Sequence, residues 1–235
     1  MSPIFVAIDT ISMDTALNWA RAAGPHVGGV KLGLEFFSNN GPQGVREVQQ
    51  ASGKPIFLDV KLHDIPNTVA GAVRALCPLG VTYITIHTSG GEEMMRAAAE
   101  AAEEGASIYG VTRPKLLGVT VLTSLESTDL LEVGQDPDVG SQVHRLASLA
   151  IESGLDGLVC AASEITQLRA ALGPDVVLMV PGIRPAGSAE DDQKRTKTPQ
   201  EAMALGATHL VIGRPITQAD DPGAAAATIN QPLVA

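Results

Sequence analysis

The stretch IFLDVKLHDIPNT, residues 56–68, passes from an apolar run directly into a group of charged residues. Its first three residues have the character of a buried strand, and Asp59, Lys61 and Asp64 follow closely. Proline lacks a backbone N–H and suits the first turn of a helix, so Pro66 marks the end of the extended segment. The stretch therefore predicts a buried strand whose carboxyl end carries a cluster of charges, followed by a helix.

Short apolar runs of this kind recur through the chain and alternate with helical segments. In segments 92–104 and 141–153, apolar residues recur every three or four positions, which predicts amphipathic helices. Strands that alternate with helices in this way are typical of a parallel sheet with crossover helices. The eight predicted strands are Ile4–Ile8, Gly29–Leu32, Ile56–Val60, Tyr83–Ile86, Leu116–Leu122, Gly157–Val159, Val176–Val180 and Leu210–Ile212.

Eight strand–helix units in 235 residues match a (β/α)8 TIM barrel, whose usual length is about 250 residues. We find no linker in the sequence, so we predict one α/β domain over residues 1–235. The alternative is a doubly wound open sheet, but the segment AIDTISMDTAL (7–17) stands where such a fold often carries G-x-G-x-x-G. The barrel places the active site at the carboxyl ends of the strands.

Composition and charge restrict the classes of function. A hydrophobic content of 45% is enough for a sizeable core, and a net charge of −10 argues against a general nucleic-acid-binding surface. The apolar run near the N-terminus is too short for a signal peptide or a membrane span, so we expect a cytoplasmic protein without membrane contact. Cys77 and Cys160 have no CxxC or His-linked spacing, which predicts two buried thiols and neither a disulfide framework nor a zinc site.

Polar residues follow most of the predicted strands. In a barrel they would converge on one mouth, and Asp59 and Lys61, two residues apart on a strand, would point to the same face. Neighbouring negative charge favours the ammonium form of a lysine. Because burying charges for stability alone is costly, an array of four or more charges is interpreted as a site. The residues at the strand ends are Asp9, Lys31, Asp59, Lys61, Asp64, His87, Thr123, Ser124, Pro181–Arg184, Gly213 and Arg214.

Motifs at these strand ends resemble those of the orotidine 5′-phosphate decarboxylase family over nearly the whole chain. The core DVKLHDIPNT (59–68) has the form D-x-K-x-x-D-I-P-N-T. The other motifs are AID (7–9), VKLG (30–33), TVLTS (120–124), VPGIRP (180–185), DQKR (192–195) and VIGRPIT (211–217). The resemblance implies a barrel that converts orotidine monophosphate to uridine monophosphate and CO2 with no cofactor.

The resemblance also implies roles for individual residues. Lys61 would protonate C6, and Asp59 would lie beside the departing carboxylate. Lys31, Asp9 and Asp64 would complete the charge array and contact the ribose, with Thr68 near the ribose and phosphate. Ser124, with Thr123 close by, would reach the pyrimidine, and the phosphate would be bound by Arg184, Gln193, Gly213 and Arg214. A homodimer is implied in which Asp64 and Thr68 cross into the partner's site.

Relatives that share the D-x-K-x-x-D core but use magnesium carry an acid in an E-x-G context on the second strand, where this chain has Lys31-Leu32-Gly33. A protonated lysine does not ligate a hard cation, so we predict no metal site. Two alternatives stay open: a magnesium-dependent sugar-phosphate decarboxylase, aldolase or epimerase of the same barrel class, and a non-catalytic barrel that binds nucleotide phosphates.

Three further features are singled out by their position. Residues 182–194 form a long segment after the seventh strand, whose length is typical of either a lid or a disordered loop. The resemblance favours the lid, because it implies that Gln193 bridges the phosphate and the base. The acidic run at residues 190–192 is unexpected beside a phosphate. His63 is interpreted as structural, and His87 as either a hydrogen-bonded rim residue or a direct participant.

Overall fold

The computed structural model describes residues 2–185 and 197–234. In this part of the chain, eight parallel strands close into a barrel in sequence order, which confirms the predicted (β/α)8 architecture. The strands are β1 (Ile4–Ile8), β2 (Gly29–Gly33), β3 (Ile56–Leu62), β4 (Tyr83–His87), β5 (Lys115–Val119), β6 (Gly157–Val159), β7 (Val177–Val180) and β8 (His209–Ile212).

Helices connect the strands and surround the barrel. They are α1 (Met13–Ala23), α2 (Leu34–Ser52), α3 (Pro66–Leu76), α4 (Glu92–Tyr109), α5 (Ser127–Glu132), α6 (Val139–Glu152), α7 (Ile165–Leu172), α8 (Pro199–Leu205), α9 (Arg214–Thr217) and α10 (Pro222–Asn230). Side chains cap several amino termini: the hydroxyl of Ser12 accepts the N–H of Thr15 at α1, and Thr198 and Glu201 form a reciprocal capping box at α8. The helix predicted at Pro66 begins at that residue.

Two hydrophobic layers hold the barrel. Alternate strand residues such as Ile4, Val6 and Ile8 pack outward against the helices, and the other set faces the interior. At the amino-terminal end the interior is closed by Phe5, Phe57, Tyr83 and His209, whose rings meet edge to face. This aromatic layer fills the bottom of the barrel, so the opposite, carboxyl end is the one that remains open to a ligand.

The strands differ from the predicted boundaries at two places that matter for the site. β5 ends at Val119, three residues before the predicted end at Leu122, so Thr123 and Ser124 lie in the loop that follows. β3 continues two residues beyond the predicted end at Val60 and therefore includes Lys61. Its pairing with β4 is irregular in this region, because the register shifts between Leu58 and Leu62.

Candidate active site

Four charged side chains from the first three strands meet at the carboxyl end of the barrel. The Nζ atom of Lys61 donates to both oxygens of Asp59, at 2.8 and 2.9 Å. Lys31 Nζ lies 3.1 Å from Asp9 Oδ1 and 3.7 Å from Asp59 Oδ2. The array therefore alternates in sign, as the sequence predicted, with Asp59 between the two ammonium groups.

The array is buried at its centre and open at one end. The side chain of Asp59 is 13% exposed, that of Lys31 12% and that of Lys61 27%, whereas Asp9 is 53% exposed. A carboxylate with so little solvent depends on its cations and hydrogen-bond donors for stabilisation. Lys61 is the more exposed of the two lysines that contact Asp59.

The backbone at the end of β3 is unusual. Among residues 2–185 and 197–234, Lys61 is the only non-glycine residue with a positive φ, at 48°. This left-handed conformation costs a residue with a Cβ roughly 1–2 kcal/mol. The Lys61–Asp59 contact was predicted from plain strand alternation, but the structure produces it through an irregular strand end.

Gly33 provides space for the neighbouring ion pair. A Cβ at this position would lie 2.9 Å from Asp9 Oδ1 and 3.1 Å from Lys31 Nζ, closer than ordinary van der Waals contact. Its φ of −93° is accessible to any residue. A side chain at this position would therefore displace the Asp9 carboxylate or the Lys31 ammonium group, whereas the backbone itself does not need glycine.

Two adjoining cavities lie beside this array and share Lys31, Pro181 and Val211. One cavity reaches Arg184, Gly213 and Arg214 at the ends of β7 and β8, so it combines a basic region with the Lys31–Asp9 pair. The other contains Asp59, Lys61 and Thr123 and is otherwise mainly apolar; its further lining residues are Phe57, Val119, Val121, Leu122, Val159 and Cys160. Together they form one elongated site with a basic end and an apolar end.

Comparison with known proteins agrees with the motifs at the strand ends. Residues 2–229 match the family described as Orotidine 5′-phosphate decarboxylase / HUMPS family. The chain belongs to this family. A protein of Rhodospirillum rubrum named orotidine 5′-phosphate decarboxylase is 53% identical over 233 residues, covering 99% of this chain and 94% of the relative. A protein of the same name from Paramagnetospirillum magneticum is 50% identical, covering 99% of each.

A solved structure supports the same membership. The crystal structure of orotidine 5′-phosphate decarboxylase from Lactobacillus acidophilus superposes with a TM-score of 0.85 at 37% sequence identity, and each chain is covered completely. Both the sequence and the fold therefore place this chain among the members of the decarboxylase family.

Of the other predicted site residues, some line a cavity, some are exposed outside both cavities, and some lie outside the described residues. Thr123 lines the apolar cavity, whereas the exposed Ser124 lies outside the lining of both cavities. Asp64 and Thr68 are also exposed and line neither cavity, and Asp64 Oδ1 accepts the N–H of Ile65 at 2.6 Å. Gln193, with residues 186–194 of the predicted lid and the acidic run at 190–192, lies outside the described residues.

The two histidines near the array pack against each other. The rings of His63 and His87 have centroids 5.5 Å apart and are tilted by 39°. Burial lowers the pKa of His87, and neighbouring His63 and Lys61 lower it further while Asp59 opposes them. The lowered pKa favours the neutral imidazole of His87, which suits packing or hydrogen bonding better than the binding of an anion.

Sequence reasoning missed the apolar wall and one buried polar residue. Val119 and Val159 were assigned only to strands, and Cys160 only to the core; Cys160 is indeed 2% exposed, and burial raises the pKa of its thiol. Thr85 lies within an apolar strand and is fully buried, and its hydroxyl contacts the charge array. A polar residue at an interior position of a barrel strand was the signal that could have identified it.

Neither a metal-ligand cluster nor a membrane-spanning helix occurs among the residues that the structure describes. There, no three His, Cys, Asp or Glu side chains are grouped as metal ligands. No helix in the same residues is long and apolar enough to cross a membrane.

Proposed function

We propose that this chain, acting as a single (β/α)8 domain, decarboxylates orotidine 5′-monophosphate to uridine 5′-monophosphate and CO2, the last step of de novo pyrimidine nucleotide synthesis. One observation carries the proposal: the Lys61–Asp59 pair lies in a cavity that continues to two arginines. This arrangement suits a nucleotide whose base reacts beside the Lys61–Asp59 pair and whose phosphate lies at the arginines.

Lys61 is proposed as the proton donor to C6 of the pyrimidine. Departure of CO2 leaves an electron pair on this carbon with little resonance stabilisation, so a fixed cation beside it lowers the barrier. The ammonium group of Lys61 is held by two hydrogen bonds to Asp59 and can supply the proton that completes the reaction. Asp59 lies beside the departing carboxylate in this arrangement and also orients Lys61.

Arg184, Gly213 and Arg214 are proposed to bind the phosphate. The chain carries a net charge of −10, so an anionic ligand requires a local basic region of this kind. Arginine suits this role because its planar donors match phosphate oxygens. Gln193 is proposed to join them from the lid, and Lys31 and Asp9, which line the same cavity, are proposed to contact the ribose.

The apolar cavity is proposed to bind the pyrimidine. Its valines and Cys160 exclude water from the reacting carbon, which strengthens the effect of the neighbouring charges. Thr123 lines this cavity and is proposed to contact the ring, with Ser124 approaching from the same loop.

We propose that the reaction needs no metal ion. Lys31 occupies the position of the acid in magnesium-dependent relatives, and its ammonium group lies 3.1 Å from Asp9 and 3.7 Å from Asp59. A cation is thus already present between the carboxylates that would otherwise hold magnesium. Full activity should persist after exhaustive chelation; activity that disappears and returns with magnesium would favour the metal-dependent sugar-phosphate enzymes instead.

The active unit is proposed to be a homodimer with shared sites. Asp64 and Thr68 belong to the family motif, yet both are exposed and line neither cavity of their own chain. Asp64 follows the end of β3 at Leu62, and Thr68 lies in the first turn of α3, which begins at Pro66. Both residues are therefore available to a partner's site.

Incubation of the purified protein with orotidine monophosphate tests the proposal directly. Loss of ultraviolet absorbance with release of CO2, unaffected by chelator, is the expected result. Binding of the nucleotide without turnover would identify a non-catalytic binding barrel, and neither binding nor turnover would contradict the proposed substrate.

A further inference from the structure

Thr85 lies inside the barrel, one layer above the aromatic residues that close its bottom. In β4, Tyr83 faces the interior while Ile84 and Ile86 pack outward, so Thr85 faces the interior by strand alternation. It is fully buried. A buried hydroxyl requires hydrogen-bond partners, and those of Thr85 belong to the proposed catalytic array.

The Thr85 hydroxyl contacts both catalytic residues of β3. It donates to Asp59 Oδ1 at 3.0 Å and accepts the backbone N–H of Lys61 at 2.8 Å. A hydroxyl group has one proton to donate and lone pairs to accept, so both bonds are satisfied together. The carboxylate that it orients is the one that holds Lys61 Nζ.

The same hydroxyl lies where the backbone ladder is interrupted. Leu58 pairs with Ile84, and Leu62 pairs with Ile86. Three residues of β3, 59–61, therefore lie opposite the single residue Thr85 of β4. The N–H of Lys61 is thus bound by a side chain, where a regular parallel ladder would supply a carbonyl group.

This hydrogen bond bears directly on the strained residue. Lys61 has a φ of 48°, and a conformation of this kind persists only when the surrounding structure holds it. Thr85 holds the backbone of Lys61 directly and its ammonium group through Asp59. A single hydroxyl therefore fixes both ends of the proposed proton donor.

We propose that Thr85 is a positioning residue for the reaction, whose hydroxyl holds the left-handed backbone of Lys61 and the carboxylate of Asp59 in reactive geometry. This inference rests on the proposed function. The competing explanation is that Thr85 only fills the core, as any buried residue of its shape would.

Thr88 provides a matched control. It is also fully buried, and its hydroxyl donates to the backbone carbonyl of Val119 at 3.0 Å and not to a member of the charge array. The substitutions Thr85→Val and Thr88→Val remove the same group and preserve the same shape. Any general effect of losing a buried hydroxyl therefore appears in both variants.

The first readout is steady-state kinetics on orotidine monophosphate. We expect Thr85→Val to lower kcat by about 10- to 100-fold with little change in KM, because a hydrogen bond to a charged group is lost from the geometry of the reacting residues. Thr85→Ser should recover most of the rate, and Thr88→Val should keep it. Equal kcat values for the two valine variants would overturn the inference.

The second readout does not depend on activity. Hydrogen exchange at the Lys61 amide should be faster in Thr85→Val than in the wild type, and unchanged in Thr85→Ser and Thr88→Val. If the wild-type protein does not decarboxylate orotidine monophosphate, the proposed function fails, while this measurement still decides whether Thr85 holds Lys61. Unchanged exchange in Thr85→Val would contradict that role.

A second pair of variants covers the case in which Thr85→Val does not fold. Thr85→Ser and Thr85→Ala both lack the methyl group and differ only in the hydroxyl. A markedly lower kcat and faster Lys61 exchange in Thr85→Ala than in Thr85→Ser would support the inference, and equal values would refute it.

Discussion

Replacing Lys61 by alanine and by glycine separates the chemistry of this residue from the strain in its backbone. Both substitutions remove the ammonium group and both break the ion pair with Asp59, so these losses cancel when the two variants are compared. The two variants differ in how well residue 61 tolerates a φ of 48°. Alanine retains the Cβ that disfavours this conformation, and glycine does not.

The expected difference in the free energy of unfolding has two parts. Relief of the left-handed strain favours glycine by roughly 1–2 kcal/mol. The greater freedom of glycine in the unfolded chain opposes this by roughly 0.5–1 kcal/mol. Lys61→Gly should therefore be more stable than Lys61→Ala, by up to about 1.5 kcal/mol.

Lys115 provides the control for this comparison. It is an exposed lysine at the start of β5 and does not have a positive φ. There only the unfolded-state effect acts, so Lys115→Gly should be less stable than Lys115→Ala by roughly 0.5–1 kcal/mol. The difference between the two pairs isolates the strain at Lys61, with an expected value of about 1–2 kcal/mol.

Equilibrium unfolding in urea at one fixed protein concentration measures these differences, because oligomerisation makes stability concentration-dependent. Activity is measured on the same samples. Both Lys61 variants should lose at least about 10²-fold in kcat, the lower range for a general acid. If glycine is less stable than alanine at Lys61, as at Lys115, the backbone there is not strained. A rate loss below about tenfold would place the proton donor elsewhere.

Three other outcomes are expected. Arg214→Ala should mainly raise KM for the phosphorylated substrate and leave any slow reaction of the unphosphorylated nucleoside unchanged; equal damage to both substrates would assign Arg214 to the fold. Mixing inactive Lys61→Ala and Asp64→Ala proteins should restore about a quarter of wild-type activity, because about half of randomly exchanged dimers are mixed and each mixed dimer has one intact site. No recovery after subunit exchange, verified by mass spectrometry, would exclude the shared site. Burial lowers the pKa of His87 below its ordinary 6.5, so the unfolded chain binds a proton that the folded chain does not, and stability should fall as pH drops through about 6.5. The His87→Gln variant should lose less stability than the wild type between pH 7.5 and pH 5.5, as measured by denaturant titration at both pH values. An equal loss in the two proteins would contradict a lowered pKa for His87.

Much of the barrel follows from local sequence patterns. Apolar β-branched runs separated by amphipathic segments identify all eight strands, because burial on both faces of a parallel strand leaves a continuous apolar signal. The location of the charge array follows equally, since a parallel barrel brings all strand ends to one mouth. Asp9, Lys31, Asp59 and Lys61 were predicted to meet there, and they do.

Other features were inaccessible to this reasoning because they depend on contacts between distant segments. Strand alternation predicted that Asp59 and Lys61 share a face, but it predicted neither the register shift between β3 and β4 nor the positive φ at Lys61. The apolar cavity is assembled from Val119, Val159 and other residues on strands that are far apart in the sequence. The sequence pattern identifies each of these residues only as part of the hydrophobic core.

The sequence by itself determined the barrel, its open end and the charges placed there, since these depend on hydrophobic periodicity and on which residues end each strand. Only the tertiary structure decided how Lys61 is presented. A lysine has no local preference for a positive φ, so its conformation depends on contacts that form only in the folded chain. One of them is the hydrogen bond from its N–H to the hydroxyl of Thr85, which lies 24 residues away and meets Lys61 only when β3 and β4 pair. The physical reason is that hydrogen bonds across strands can hold a conformation that the local chain disfavours.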